Sequence, residues 1–473
     1  MTNKSAPPYE GGVAEGGGGL THLGIATDRR GDSSPNFVGI RTTPGTGILF
    51  PSLFFFQFLL TLLSIYLTNP SFSKHTFQER STLMKTLYGL ILILLFLVST
   101  ALLYSQQIVG DSAGTINKFV STTDFGGFGE TFYQYNSEAK TSTADLERVV
   151  FNARHRFDAD ISLYTELELL NAVVKGAKAG GTVDWEQAYV KFNMDTTHYF
   201  KAGLFMPSIG IQNEYHVPNT FNGVERTQVE LNVIPTTWRD LGVGYYGDIS
   251  GTSLKYSAAV FNGLNSAAFE HGSGITEGRY QGNDASANNL AVNAALKYAQ
   301  DNVKAQVSGY YGGTVGLSSA AADKLGLNSG VFGTPVAIGE ADIRYASCGF
   351  SLKALGTYIS IPDAEQINSA YSNNTPKAEY GAYGEAGYDV LRGASTTGPQ
   401  LIVFARYEKL DLNSTIPANG VYDPTLDQSH IVVGLNYMPI TSIVLKADAR
   451  FEHTAASVDQ NTTFVTLGLA WVL

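Results

Sequence analysis

The sequence is poor in cysteine, in charge and in helical periodicity. Cys348 is the only cysteine, so no disulfide can form within the chain. Charged residues make up only 15% of the 473 residues, and the net charge is −11. After residue 105 there are 24 Lys and Arg against 37 Asp and Glu. An acidic chain without a basic face does not favour a nucleic-acid partner, because phosphate binding needs clustered Lys and Arg.

Catalytic and metal-binding signatures are also missing from the sequence. No Gly-x-Ser-x-Gly motif and no metal-ligand spacing occurs. A barrel enzyme would need a nucleophile, a His base and an acid brought together at a rim. The six histidines after the first apolar runs are scattered along the chain: His155, His198, His216, His271, His430 and His453. We therefore predict no enzyme, no catalytic residue, no cofactor and no metal site; a structural or adhesive barrel remains an alternative.

The first hundred residues resemble targeting sequence rather than part of a folded domain. Residues 84–105 combine Lys85, an apolar run from Leu87 to Val98 and a stretch of small residues, which predicts a signal peptide cleaved before Gln106. A membrane anchor is the alternative. Because a signal peptide stands at the N-terminus, we expect residues 1–83 to be a mis-called upstream segment; if translated, Ile48 to Leu67 could cross a membrane. Residues 106–125 are expected to be a short periplasmic segment.

From Phe125 onward the sequence alternates between apolar and polar residues. Between Ile443 and Glu452, for example, Leu445 and Phe451 lie on one face while Lys446 and Arg450 lie on the other. Sixteen such segments occur: 126–136, 147–158, 161–173, 182–194, 198–207, 239–249, 253–263, 289–300, 303–313, 337–347, 350–361, 379–390, 400–411, 428–438, 443–454 and 462–473. They predict an all-β chain whose strands fill residues 126–473.

The connections between these segments alternate between short turns and long polar loops. The long ones are 208–238, 264–288, 314–336, 362–378 and 412–427. Short turns on one rim and long loops on the other are typical of a transmembrane antiparallel up-and-down β-barrel, whereas a soluble sandwich has no reason to place its long loops on one side. We therefore predict a bacterial outer-membrane barrel of about sixteen strands that contacts lipid and lipopolysaccharide.

Part of the sequence resembles a known porin superfamily. The stretch Trp185-Glu186-Gln187-Ala188-Tyr189-Val190-Lys191-Phe192, the segment from Lys201 to Ser208 and the motif Arg239-Asp240-Leu241-Gly242-Val243 are similar to segments of the superfamily that contains the phosphate-selective porins O and P. The resemblance implies a sixteen-stranded, usually trimeric channel whose third extracellular loop folds inward. The third connection on the long-loop rim is 208–238. The amphipathic strand that ends at Leu473 resembles the signal read by the barrel-assembly machinery.

The acidic balance separates this chain from the phosphate-selective members, which resemble one another in their basic pore linings. We therefore predict a passive channel for small hydrophilic solutes or ions, with an anion- or phosphate-selective porin as the alternative. Loop 208–238 supplies the candidates for the pore constriction: Glu214, His216, Glu225, Arg226 and Glu230. The charges expected to line the lumen are Arg148, Arg154, Arg156, Glu166, Glu168, Lys201, Asp240, Arg344, Arg406, Lys446, Asp448 and Arg450.

Two finer expectations concern these charges. Arg154 and Arg156 lie two residues apart on one face, and Glu166 and Glu168 of the next strand are expected to neutralise them. Glu214, Glu225 and Glu230 outnumber Arg226 in the longest loop, which predicts a weak cation preference.

Overall fold

The computed structural model describes residues 122–171, 181–392, 398–456 and 461–473. The predicted leader, residues 1–105, lies outside the described residues, as does most of the segment 106–125. The strands are β1 Thr123–Asn136, β2 Thr141–Arg156, β3 Ile161–Leu170, β4 Thr182–Asn193, β5 His198–Phe205, β6 Asp240–Asp248, β7 Leu254–Asn262, β8 Leu290–Gln300, β9 Val303–Gly312, β10 Val336–Ser347, β11 Phe350–Ser360, β12 Ala378–Asp389, β13 Gln400–Thr415, β14 Asp427–Ile440, β15 Ile443–Thr454 and β16 Thr462–Val472.

These strands form one closed antiparallel barrel. Each strand pairs with its neighbours in sequence, and β1 pairs with β16, with Phe128 opposite Val472. Closure leaves the sheet without an open edge. The predicted sixteen-stranded barrel is therefore confirmed. The largest error in a strand boundary is at β2, which begins at Thr141 and not at 147, because its first residues are polar and carry no alternating signal.

The five long connections, which follow β5, β7, β9, β11 and β13, all lie on one rim, as predicted. The turn between β10 and β11 contains Cys348 and Gly349, and both residues have positive φ angles. The connection between β5 and β6, residues 206–239, leaves from the other rim because an odd number of strands separates the two. We call residues 206–239 the lumen loop.

Exposure alternates along the strands. In β8, Val292 and Leu296 are exposed, whereas Asn293 and Ala295 between them are buried. In β16, Val465 and Leu467 are exposed while Thr466 is buried. The pleat turns successive side chains to opposite faces, so the outer surface of the barrel is apolar and the inner surface is polar. Alternation of apolar and polar residues with a period of two predicts this orientation.

Strand β4 contains a β-bulge that explains its irregular sequence pattern, in which strict alternation would place Gln187 on the same face as Trp185. Glu166 pairs with Gln187 and the next residue, Leu167, pairs with Trp185, so Glu186 is the extra residue. Trp185 points outward and is half exposed, while Glu186 and Gln187 both point inward and are buried. The bulge thus adds an inward carboxylate that strict alternation would not place there.

Three short helices occur in the long loops: α1 Gln228–Asn232, α2 Ser319–Leu325 and α3 Ala364–Tyr371. Helix α1 lies in the lumen loop, and the side chain of Thr227 caps it by accepting a hydrogen bond from the Glu230 backbone N–H at 3.2 Å. Among the described residues, no helix is long and apolar enough to cross a membrane.

The main hydrophobic core lies inside the barrel, towards the rim of the long loops. Trp238 from the lumen loop packs against Tyr310 near the end of β9, with their ring centroids 4.8 Å apart. Phe261 at the end of β7 and Leu264 just after it are fully buried in the same cluster. The lumen loop thus adds apolar side chains to the interior at this end of the barrel.

Candidate functional site

The lumen loop contacts side chains from opposite walls of the barrel. The Asn222 amide donates to Glu385 on β12 at 2.9 Å, and the Val224 N–H donates to Asp448 on β15 at 2.6 Å. On the opposite side, Lys297 of β8, seven strands away from β15, donates to Glu214 of the loop at 2.7 Å. The loop therefore lies within the barrel, and the prediction of an inward-folded third loop is confirmed.

The loop also descends through most of the height of the barrel. Asn219 donates to the carbonyl of Thr441, which lies in the turn between β14 and β15 on the short-turn rim, at 3.2 Å. Lys446, near the start of β15, donates to the carbonyl of Phe221 at 3.2 Å. The central part of the lumen is thus narrowed along its length and not only at one level.

A buried ion-pair network on β12 and β13 binds the tip of the loop. Arg406 lies 3.1 Å from Glu385 and 2.8 Å from Glu408, and it also donates to the carbonyl of Asn222 at 3.1 Å. Glu408 in turn accepts from the N–H of Val229 at 3.1 Å. Charge-assisted hydrogen bonds are directional, so this network fixes where the loop crosses the lumen.

The predicted constriction residues each have a partner of opposite charge or a hydrogen-bond partner. Glu214 accepts from Lys297 of β8 at 2.7 Å, and Glu225 lies 3.2 Å from Arg450 of β15. Arg226 donates to Thr236 within the loop at 3.2 Å. In the structure these residues hold the loop in place. That they also set the width or selectivity of a pore stays a prediction.

Glu230 of α1 is fully buried. Its carboxylate accepts from the N–H of Gln212 at 2.6 Å and from the hydroxyl of Tyr383 at 2.8 Å. Burial raises the pKa of Glu230 to about 7, although both hydrogen bonds act in the opposite direction. Glu230 is therefore a buried link between the loop and β12.

Most of the predicted wall charges are buried inside the barrel. The buried ones are Arg148, Glu166, Glu168, Lys201, Asp240, Arg406, Lys446, Asp448 and Arg450. Arg344 is less buried and lies 3.1 Å from Asp342. Arg154 is half-buried. Arg156 is exposed and lies 2.6 Å from Asp124.

The predicted neutralisation of Arg154 and Arg156 by Glu166 and Glu168 is wrong. The turn after β2 sets a register in which Arg154 pairs with Tyr164 and Arg156 with Ser162. Glu166 and Glu168 therefore lie farther from the turn, opposite Asn152 and Val150. The acids instead lie near other partners: Arg148 is 3.9 Å from Glu168, and Gln187 donates to Glu166 at 2.7 Å.

The sequence analysis missed one grouping of ionisable residues. Glu166 of β3, Glu186 of the β4 bulge and His216 of the lumen loop lie close together, and all three side chains are buried. The Nε2 atom of His216 is 3.5 Å from one oxygen of each carboxylate. No sequence spacing indicates the group, because its members come from three separate elements. The irregular pattern of β4 is the one signal that pointed to an unusual position there.

Comparison with known proteins identifies no family for this chain and one relative of unknown function. No family model matches the chain. A protein of Aquifex aeolicus (strain VF5), described as uncharacterized, is 28% identical over 356 residues, which are 72% of this chain and 78% of that protein.

Several solved barrel structures are similar to this chain in their fold. They include the outer membrane channel DcaP of Acinetobacter baumannii, at 11% identity and a TM-score of 0.48, covering 74% of this chain and 97% of that one. OmpF of Salmonella typhi in complex with daunomycin has 12% identity, the same coverage and a TM-score of 0.48. An anion-selective porin from Comamonas acidovorans has 10% identity and a TM-score of 0.46, covering 74% of this chain and 99% of that one. The resemblance to porins O and P stays a prediction.

Proposed function

We propose that the protein is a passive channel of the bacterial outer membrane for small hydrophilic solutes or ions, with the lumen loop as its eyelet. The observation that carries the proposal is the lumen loop itself, which hydrogen-bonds to charged side chains on opposite walls of a closed barrel, Asp448 on β15 and Lys297 on β8. A loop fixed across a polar lumen is the arrangement by which a wide barrel becomes a narrow, selective passage.

The outer surface of the barrel suits lipid. In a closed sheet every strand has two neighbours, so no row of backbone polar groups faces the bilayer. Exposed aromatic side chains lie near the short-turn ends of the strands, such as Tyr298, Tyr345, Phe350 and Tyr388. Aromatic side chains prefer the interface between lipid and water, which supports a membrane position with this rim at one surface.

Insertion and assembly form part of the proposal. Strand β16 carries exposed Val465, Leu467 and Leu469 and closes the barrel against β1, which fits a strand that the barrel-assembly machinery recognises. We propose lipopolysaccharide as the outer-leaflet contact and a homotrimer as the assembly. Cross-linking of membranes that contain the protein tests the trimer, because a ladder that stops at a single chain contradicts it.

Two of the loop acids that we expect to influence the ion selectivity are already paired with basic residues of the barrel wall. Glu214 offsets Lys297 and Glu225 offsets Arg450, so we expect the cation preference to be weak. Replacing Glu214, Glu225 and Glu230 by Gln leaves Lys297 and Arg450 with less compensation and should move the reversal potential towards the anion side. A wild-type channel that already prefers anions favours the anion-selective alternative and excludes a role for these acids.

Single-channel recording in a planar bilayer tests the channel and its eyelet together. Deleting residues 217–226, which cross the lumen, should raise the conductance. Deleting residues 416–425, a segment of the same length in the loop between β13 and β14, should not. A difference in gel migration between unheated and heated samples would show that each variant is folded. Folded wild-type protein that passes no current contradicts the channel and favours a structural barrel. Equal conductance of the two variants contradicts the eyelet.

A further inference from the structure

Glu166, Glu186 and His216 form a compact buried group at the place where the lumen loop meets β3 and β4. The three side chains are 2%, 0% and 0% exposed. Each offers one nitrogen or oxygen atom, and these atoms lie within 4.8 Å of one another. Buried ionisable groups at this spacing need hydrogen bonds or a counter-charge, because their desolvation is costly.

In each carboxylate, one oxygen has a hydrogen-bond donor and the other is directed at His216. Oε2 of Glu166 accepts from the amide of Gln187 at 2.7 Å, which leaves Oε1 towards the histidine. Oε1 of Glu186 accepts from the hydroxyl of Thr237 at 2.8 Å, and its Oε2 is left without a hydrogen bond. Such outer hydrogen bonds are how proteins orient carboxylates that bind a metal.

The imidazole of His216 is oriented in the same way. Its Nδ1 lies 3.3 Å from the carbonyl of Asn213, and since a carbonyl can only accept, Nδ1 carries the proton of that contact. The buried Nε2 has no hydrogen-bond partner. With the proton on Nδ1, the ring can offer its Nε2 lone pair to a cation that lies between Nε2 and the two carboxylates.

The distances fit a metal better than a hydrogen bond. Nε2 is 3.5 Å from Glu166 Oε1 and 3.5 Å from Glu186 Oε2, which is longer than the usual hydrogen-bond range. Ligands bonded to one tetrahedral zinc ion at about 2.0–2.1 Å are separated from each other by roughly 3.3 Å. The two distances from Nε2 to the carboxylate oxygens are therefore already close to the separation of two ligand atoms on one zinc ion.

Neighbouring cations are engaged elsewhere. Arg148 lies 2.5 Å from Glu130 and 3.9 Å from Glu168, and Arg239 lies 3.9 Å from Asp184. Among the described residues, no Lys or Arg nitrogen lies within 4.0 Å of the carboxylates of the group. The pair of carboxylates thus keeps a local negative charge that a divalent cation would balance.

We propose that Glu166, Glu186 and His216 bind one divalent transition-metal cation, for which Zn²⁺ is the best chemical fit. One imidazole and two carboxylates are ligands that suit zinc, whereas calcium is bound by oxygen atoms alone. The cation connects the lumen loop to two strands and fixes the loop against that wall. This inference does not depend on the channel function, because it concerns only how the loop is held.

Zinc binding to the full-length mature chain in detergent tests the proposal directly. The Cys348→Ser background removes the exposed free thiol as a competing ligand. After treatment with a chelator and addition of Zn²⁺, bound metal is measured by atomic emission and affinity by competition with a chromophoric chelator. We expect one zinc per chain, and at least about 100-fold weaker binding in Glu186→Gln and in His216→Gln. Glu365→Gln, which removes an exposed carboxylate of helix α3 outside the lumen loop, should bind as the wild type does.

Several outcomes overturn the proposal. The first is a folded wild type that binds no zinc, and the second is a folded wild type that binds calcium in preference. The third is that variants of Glu186 or His216 bind zinc as well as the Glu365 control does. If Glu186→Gln does not fold, Thr237→Val serves in its place, because it removes only the hydrogen bond that orients Glu186. We expect it to weaken zinc binding about 10-fold with the barrel intact, and unchanged affinity in that variant also contradicts the site.

Discussion

The two parts of the lumen loop contact the barrel by different physical means. From residue 212 to 227 the contacts are chiefly hydrogen bonds and ion pairs, such as Asn222 with Glu385 and Val224 with Asp448. From 228 to 238 they are mainly apolar, and Val233, Ile234 and Trp238 are fully buried. Charge-assisted bonds are directional and set position, whereas apolar burial is non-directional and supplies stability. Residues 212–227 thus set the position of the loop in the lumen, and residues 228–238 supply most of the stability with which it is held.

Removing Arg406 should have the largest effect. Arg406→Gln leaves Glu408 buried without its cation, and breaking a buried pair in this way costs about 3–5 kcal/mol. The free energy of unfolding, measured by urea titration in detergent, checks this value. Arg156→Gln removes an exposed arginine and should cost less than about 1 kcal/mol. Equal losses in the two variants would mean that the buried network does not hold the loop.

Truncating the apolar part should have the next largest effect. Ile234→Ala removes a fully buried side chain and leaves a cavity, which costs about 2–4 kcal/mol. The same titration measures it, with Ile343→Ala on the outer face of β10 as the control. Because position depends on the polar part, the conductance of the Ile234 variant should stay close to that of the wild type. A large change in conductance would contradict this division between position and stability.

Glu230 joins the two parts and should make stability depend on pH. Its pKa is raised to about 7 by burial, so the folded state favours the protonated acid. That contribution is fully present below the unfolded pKa of about 4.5 and is lost as the pH rises towards 7. The loss is at most about 3–4 kcal/mol, and Glu230→Gln should flatten the slope between these values. Urea titrations at several pH values measure it, and an unchanged slope in the variant would exclude Glu230 as its source.

The half-exposed pair of Glu225 and Arg450 should matter least. Glu225→Gln removes a contact of 3.2 Å, while Arg450 keeps Glu452 at 2.9 Å. Partly exposed pairs contribute about 0–1 kcal/mol, and salt weakens them further. Urea titration at low and high salt measures the effect. A cost above about 2 kcal/mol would show that this end of the polar part contributes as much as the buried network.

The sequence by itself determined the strands and their faces. Alternation with a period of two is a local property, because each peptide unit turns successive side chains to opposite sides. It therefore predicted the outward Val292 and Leu296 of β8 and the inward Thr466 of β16. The alternation of short and long connections likewise placed the lumen loop and Cys348 on opposite rims.

Only the tertiary structure decided which charges meet. Arg154 lies opposite Tyr164 and not Glu166, because the register of a strand pair depends on the turn that joins it. Glu166, Glu186 and His216 are distant in sequence and come together only because a bulge adds an inward residue and the loop folds back into the lumen. These placements depend on pairing and packing between distant segments, and no local periodicity records them.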